Sequence, residues 1–315
     1  MTIGIATHGP NAGLAVFRAL QAAEAVGRGA IGGFACFAAV TNDGELYRQQ
    51  TQRGGTSTLF ISGESTGVEP PMAVATATMA AVISSGPERP EPLSQFLTAD
   101  PAAGLVTGHR LPNRPGPDGR PLNLAVLERL RAGKDSRTAV DTILTAHPEA
   151  DVGFIAVDRR GNVYARNADR VKRRPDLGGA EHRDPDRNIA VAVLHNAITP
   201  YPILAELVAQ VAFDILRGES EPDGWITLVS GIPVEHGPQN AVHCDAGGEA
   251  LRVVTTDASM TQGLQVGAAV YIHSTVYRDG EPLGFTQFEP IVTVVDGVVE
   301  TMSGQQRLPM SYRRA

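Results

Sequence analysis

Thr2 directly follows Met1, and methionine is commonly removed before a small second residue. Removal would leave a free α-amine beside the Thr2 hydroxyl. An α-amine titrates near about pH 7.7–8.0, so it can take the hydroxyl proton and give Thr2 a built-in base. A second set of groups lies at Arg53-Gly54-Gly55-Thr56. Its two glycines let backbone amides approach a bound group, with a guanidinium and a hydroxyl alongside. His109 and Arg110 open a stretch rich in Pro and Gly that runs to Pro121. Such a stretch inside a folded chain reads as a lid or binding loop. His195-Asn196 sits at the end of an apolar run, which places two polar groups at the edge of a core.

Metal chemistry is disfavoured. Cys36 and Cys244 are the only cysteines, neither has neighbours at ligand spacing, and His8, His109 and His195 are scattered. No cofactor is expected. The net charge of −7 argues against a nucleic-acid partner. No apolar run reaches bilayer length, and no basic segment followed by an apolar core opens the chain. The expected setting is therefore the reducing cytoplasm, with a small-molecule substrate, no membrane, and self-association left open.

The elements that must position these groups can be read in turn. Thr2–Ala6 is a short strand, followed by a helix over Ala12–Val26 with Asn11 as its N-cap. Phe34–Val40 is apolar without a break, which suits a strand covered on both faces. Asn42-Asp43-Gly44 turns it into a more polar return strand from Leu46. Met72–Ser84, rich in Ala, Val and Met, reads as a buried helix, Leu93–Leu97 as a helical turn, and Gly104–Gly108 as a short strand. Helices follow over Leu122–Ala132 and Ser136–Ala146. Asp151–Asn167 repeats the buried-hairpin design, and Arg159–Arg187 is mostly solvated charge. Ile189–Leu194 is a buried strand and Tyr201–Arg217 a long helix.

After Glu219 the pattern becomes one of strands: Trp225–Ser230, Leu251–Thr256, Val266–Tyr277 and Pro290–Val295. Asp279-Gly280 and Asp296-Gly297 are hairpin turns. Two parts are therefore expected, 1–218 and a β-rich 219–315, the second either separate or completing the sheets of the first.

The stretches IGGFACFAAVTNDGELYRQQTQRGGTS and LAVLERLRAGKDSRTAVDTILTAHPEADVGFIAVDRRGNVYARN are similar to parts of the N-terminal-nucleophile (Ntn) hydrolases, nearest the asparaginase and glycosylasparaginase branch. The resemblance spans Thr2–Leu216. It implies an α+β fold with a four-layer αββα sandwich and hydrolysis of a small amide (C–N) bond. In that branch an autoproteolytic Thr opens the hairpin, whereas Gly29-Ala30-Ile31 stand here. No internal self-cleavage is expected, and Thr2 takes the nucleophile's role. The oxyanion hole would come from Gly54 and Gly55 amides or from Asn196. Arg53, His109 or Arg110 would hold a substrate carboxylate, with Thr56 and His195 completing the binding set. Ser85 or Thr56 as nucleophile is a further option. The rival reading is a small-molecule-binding protein that keeps the fold without the chemistry.

Overall fold

In a computed structural model of the chain, residues 2–61, 69–89, 92–218 and 222–314 are described. The chain divides into two units, Met1–Ser220 and Glu221–Ala315. It is an α+β protein whose C-terminal unit is β-rich.

Unit 1 begins with β1 (Thr2–His8) and α1 (Ala12–Val26). Asn11 does not cap α1: it adopts φ 59° and its side chain makes no capping bond. The Ala12 amide bonds the Ala77 carbonyl instead. Next come β2 (Ala35–Val40), wholly buried, and β3 (Leu46–Thr51), half-exposed. Gly44 turns between them at φ 85°. After α2 (Thr56–Leu59) and α3 (Met72–Ala75), the chain enters β4 (Met79–Ser84). The single helix expected over Met72–Ser84 is thus wrong. The slot between β1 and β2 accepts only an extended chain, and that pairing overrides the helix preference of Ala and Met.

A 3₁₀ turn at Leu93–Gln95 leads to β5 (Thr98–Asp100) and β6 (Gly104–Arg110). His109 and Arg110, expected in a loop, are the last residues of β6, paired with Gly153 and Val152. The helices α4 (Leu122–Arg131) and α5 (Ser136–Ala146) follow, α5 capped by Asp135, whose carboxylate accepts from the Thr138 amide at 2.8 Å. The hairpin β7 (Val152–Asp158) and β8 (Val163–Asn167) and the single turn α6 (Asp169–Lys172) come next. The stretch read as solvated charge contains β9 (Leu177–Asp184), an edge strand of alternating exposure. Unit 1 ends with β10 (Ile189–Asn196) and α7 (Tyr201–Leu216).

Six strands form one antiparallel sheet in the order β3-β2-β4-β1-β10-β9, and four form another in the order β5-β6-β7-β8. Strand alternation gives each sheet two apolar faces. Ile3, Ile5, Val82, Val191 and Val193 pack on Phe17, Leu20, Val208 and Ala212 of α1 and α7. Cys36, Ala81, Ile83, Ala192 and Leu194, on the other face, meet Leu105, Ile155 and Val157 of the smaller sheet. Val106, Phe154 and Ala156, on that sheet's far face, pack on Val126, Leu127, Val140 and Leu144 of α4 and α5.

Unit 2 contains β11 (Gly224–Val229), β12 (Val234–His236), β13 (Ala241–Cys244), β14 (Ala250–Thr255) and β15 (Leu264–Gly267). It continues with β16 (Thr275–Arg278), β17 (Glu281–Thr286), β18 (Val292–Val295), β19 (Val298–Met302) and β20 (Arg307–Arg313). Its strands build a seven-stranded sheet, β11-β20-β17-β16-β13-β14-β12, and a three-stranded one, β15-β18-β19. Among the described residues they extend neither sheet of unit 1. The run expected as one strand over Val266–Tyr277 is two, placed in different sheets, because Ala269 and Val270 turn inward to the core between them. Asp279-Gly280 and Asp296-Gly297 have positive φ at both positions and form the expected tight hairpins. No described helix is long and apolar enough to cross a membrane.

Candidate functional site

Period-2 alternation decides which polar groups meet. On β1, Ile3 and Ile5 face the helices, so Thr2, Gly4 and Ala6 face the smaller sheet. On β10, Val191 and Val193 face the helices, so Leu194 and Asn196 face the smaller sheet and His195 does not. Thr2 and Asn196 are register partners. On the opposing sheet His109, Gly153 and Asn167 lie side by side across β6, β7 and β8.

Glycines let the two rows touch. A Cβ on Gly4 would stand 2.3 Å from the Gly108 carbonyl oxygen, so the backbones of β1 and β6 approach without side chains between them. A Cβ on Gly153 would stand 2.1 Å from Asn167 Oδ1 and 2.4 Å from His109 Nε2. That vacant volume is where imidazole and amide meet.

The result is a buried polar chain running from sheet to sheet. The Arg110 amide donates to Thr2 Oγ, and Thr2 Oγ donates to Asn196 Oδ1 at 3.2 Å. His109 Nδ1 lies 3.3 Å from the same Asn196 oxygen, and its Nε2 lies 2.6 Å from Asn167 Oδ1. His109 is 0% exposed and Thr2 1%. Burial, the largest influence, pushes the His109 imidazole down to about 4, so the ring is neutral at pH 7. A neutral ring has one N–H and one lone pair. One ring nitrogen therefore donates and the other accepts, so of the two amides facing the ring one presents its oxygen and the other its NH₂ group. His109 therefore orients two amides and carries no charge. Buried and neutral, it presents no charge to the substrate carboxylate that it was expected to hold.

Arg110 also departs from its expected role. Its φ of 68° is in the left-handed region, an arrangement that costs a side-chain-bearing residue about 1–2 kcal/mol. That turn aims its N–H at Thr2. Its guanidinium is held in a two-pronged pair by Asp151, with Nη2 to Oδ2 at 2.7 Å. The bond from Arg110 in turn holds the Asp151 carboxyl below its usual range.

The remaining candidates lie elsewhere. His195 points to the helix side, where Nε2 meets the Tyr201 carbonyl at 2.8 Å, and it is no part of the Thr2 cluster. Arg53 pairs with Glu88. The Gly55 amide donates to the Gly33 carbonyl, so it is not an oxyanion donor. Thr56 gives its amide (3.0 Å) and hydroxyl to Glu24, whose carboxyl is pushed up by burial. Gly54 belongs to the same loop, which follows β3. That strand is three places from β1, or about 14 Å at the usual strand spacing. His8 lies at the far end of β1, against the Asn188 carbonyl. Among the described residues no group of His, Cys, Asp or Glu is placed to hold a metal ion.

Thr2, His109, Arg110 and Asn196 are thus brought together from positions 2 to 196, joined by Asn167 and Asp151, which sequence reasoning missed. Gly153 inside a buried strand was the available signal for them, since a strand glycine often marks a close approach. All six lie within residues 2–225, the span matched by the family model "Domain of unknown function (DUF6963)". The chain belongs to the DUF6963 family. A second model, "Domain of unknown function (DUF7259)", matches residues 231–307. No curated protein matches the chain. The DUF6963 span takes in both sheets of unit 1 and the whole Thr2 cluster, and the DUF7259 span lies within unit 2.

Proposed function

We propose that the DUF6963 unit is a hydrolase of a small amide (C–N) bond, of the N-terminal-nucleophile type, with Thr2 as nucleophile. One observation carries the reading. Thr2 Oγ stands at the start of a central strand, between a backbone N–H in a strained conformation and the Asn196 amide. The succession of α1/α7, six-stranded sheet, four-stranded sheet and α4/α5 supports reading unit 1 as a four-layer αββα sandwich of that class.

The chemistry requires cleavage of the peptide bond before Thr2. The freed α-amine then takes the Oγ proton as Oγ adds to the substrate carbonyl carbon. The C–N bond breaks as that proton passes to the leaving nitrogen. Water adds to the resulting Thr2 ester and releases the acid. The groups beside Thr2 Oγ that would stabilise the charge forming on oxygen are the Arg110 N–H, by shifting from Oγ, and Asn196, by turning its NH₂ group toward it.

The burial of Thr2 at 1% favours a second reading, in which the cluster is a structural clasp and the fold binds a small molecule without turnover. Intact mass combined with an ammonia-release assay over a panel of small primary amides separates the two. The enzyme reading expects a chain beginning at Thr2, turnover, and an acyl adduct on Thr2 trapped at low pH. A chain that retains the preceding residue and hydrolyses none of the panel defeats it.

A further inference from the structure

A second site lies at the opposite end of the four-stranded sheet from Thr2, and it rests on different residues. The β7–β8 turn, Asp158-Arg159-Arg160-Gly161-Asn162, faces the α4–α5 connection at Gly133-Lys134 across a pocket of about 400 Å³. Ala103 and Leu130 are buried in its floor. Arg131, Lys134, Arg159 and Arg160 stand around it.

The counter-charges are all engaged elsewhere. Asp158 is buried, and its carboxylate accepts from the Arg160 amide (2.8 Å), the Asn162 amide (3.1 Å) and side chain, and the Ser136 amide (3.0 Å). It therefore ties the turn, including the backbone of Arg160, to the start of α5. Asp135 accepts from the amide and hydroxyl of Thr138. Asp100 pairs with Arg131. Lys134, Arg159 and Arg160 have no carboxylate partner among the described residues, and Arg159 makes only a 3.3 Å bond to the Ala102 carbonyl. Three exposed cations without carboxylate partners around one recess, offset in its lining by the buried Asp158 carboxylate, favour an anion between them. In a chain of net charge −7 such a recess is a local reversal of sign. Its volume is in the range of small-ligand sites. Guanidinium groups bind phosphate oxygens two at a time, and Lys adds a point charge.

We propose that this pocket binds a phosphorylated small molecule through Lys134, Arg159 and Arg160. The site is independent of the Thr2 cluster, so it stands or falls separately from the hydrolase reading.

Titration calorimetry on the full chain at low ionic strength tests it, with inorganic pyrophosphate as probe and citrate as the carboxylate comparison. Pyrophosphate should bind with a dissociation constant below about 1 mM, should weaken as salt is added, and should bind more tightly than citrate. The double variant Arg159→Ala/Arg160→Ala should lose at least about tenfold in affinity, and Lys134→Ala a smaller factor, since the guanidinium groups supply the two-pronged contacts and Lys a single point charge. Thr2→Ala should bind pyrophosphate as the parent does. These side chains are exposed, so the variants should melt within a few degrees of the parent. No binding, equal binding in parent and double variant, or citrate binding as tightly as pyrophosphate would overturn the proposal.

Discussion

Thr2 is a buried, doubly hydrogen-bonded residue, and this changes what its removal should do. A chain-terminal residue is expected to carry little packing. Here, replacing Thr2 by Ala would leave the Arg110 N–H without its acceptor and remove one of the two contacts that hold the Asn196 amide. On the proposed hydrolase reading Thr2→Ala should abolish turnover, and it should also lower stability by about 1–3 kcal/mol, measured by urea unfolding. Thr2→Ser should keep most of the stability and part of the activity. His109 gives a second residue-scale outcome. Its folded-state pKa of about 4 lies below the ordinary histidine value, so the unfolded chain binds the proton more readily. This group's contribution is complete above about pH 6.5 and is lost as pH falls from there toward 4. The loss approaches about 3 kcal/mol for a shift of this size. Unfolding free energies at pH 7 and pH 4.5 should show that decline, and a His109→Gln variant should show less of it.

At the scale of elements, glycine placement lets two sheets exchange hydrogen bonds through their backbones and short polar side chains. Gly153→Ala places a methyl group within 2.1–2.4 Å of the Asn167 and His109 atoms that bond each other there. Such overpacking should cost about 1–3 kcal/mol and reduce activity, because the Asn196 amide loses its orientation. Gly4→Ala meets backbone rather than side chain, at 2.3 Å from the Gly108 oxygen. It should be the more damaging of the two, which paired chemical-denaturation curves will rank.

For the whole molecule, each unit has its own apolar interior. Ile226, Val242, Val253, Val276, Val294 and Met310 form one in unit 2, apart from the three clusters of unit 1. A fragment of residues 1–218 should fold alone and unfold in one cooperative transition, because its sheets need no strand from beyond it. Circular dichroism and a single melting transition will check this, and a fragment lacking near-ultraviolet signal would contradict it. If the fragment folds, the proposed hydrolase reading expects turnover from it too, since every member of the Thr2 cluster is within it.

The buried hairpins, the amphipathic helices and the Asp-Gly turns were legible because short-range pattern specifies them. Phe34–Val40 has no polar residue to expose, and Gly at positive φ fixes a turn locally. Met72–Ser84 was misread because its composition suits a buried helix as well as a buried strand, and only the gap between β1 and β2 selects the strand. The candidate site divides the same way. Thr2 and Asn196 could be singled out as polar residues at the ends of apolar strands. That His195 turns away from Thr2 while Asn196 turns toward it depends on the phase of β10 relative to a sheet that the sequence does not reveal. The pairing of His109 with Asn167 over Gly153, and the occupation of the Gly55 amide by Gly33, are contacts between residues 58 and 22 positions apart. Local chemistry named the groups, and sheet register and sheet stacking decided which of them meet.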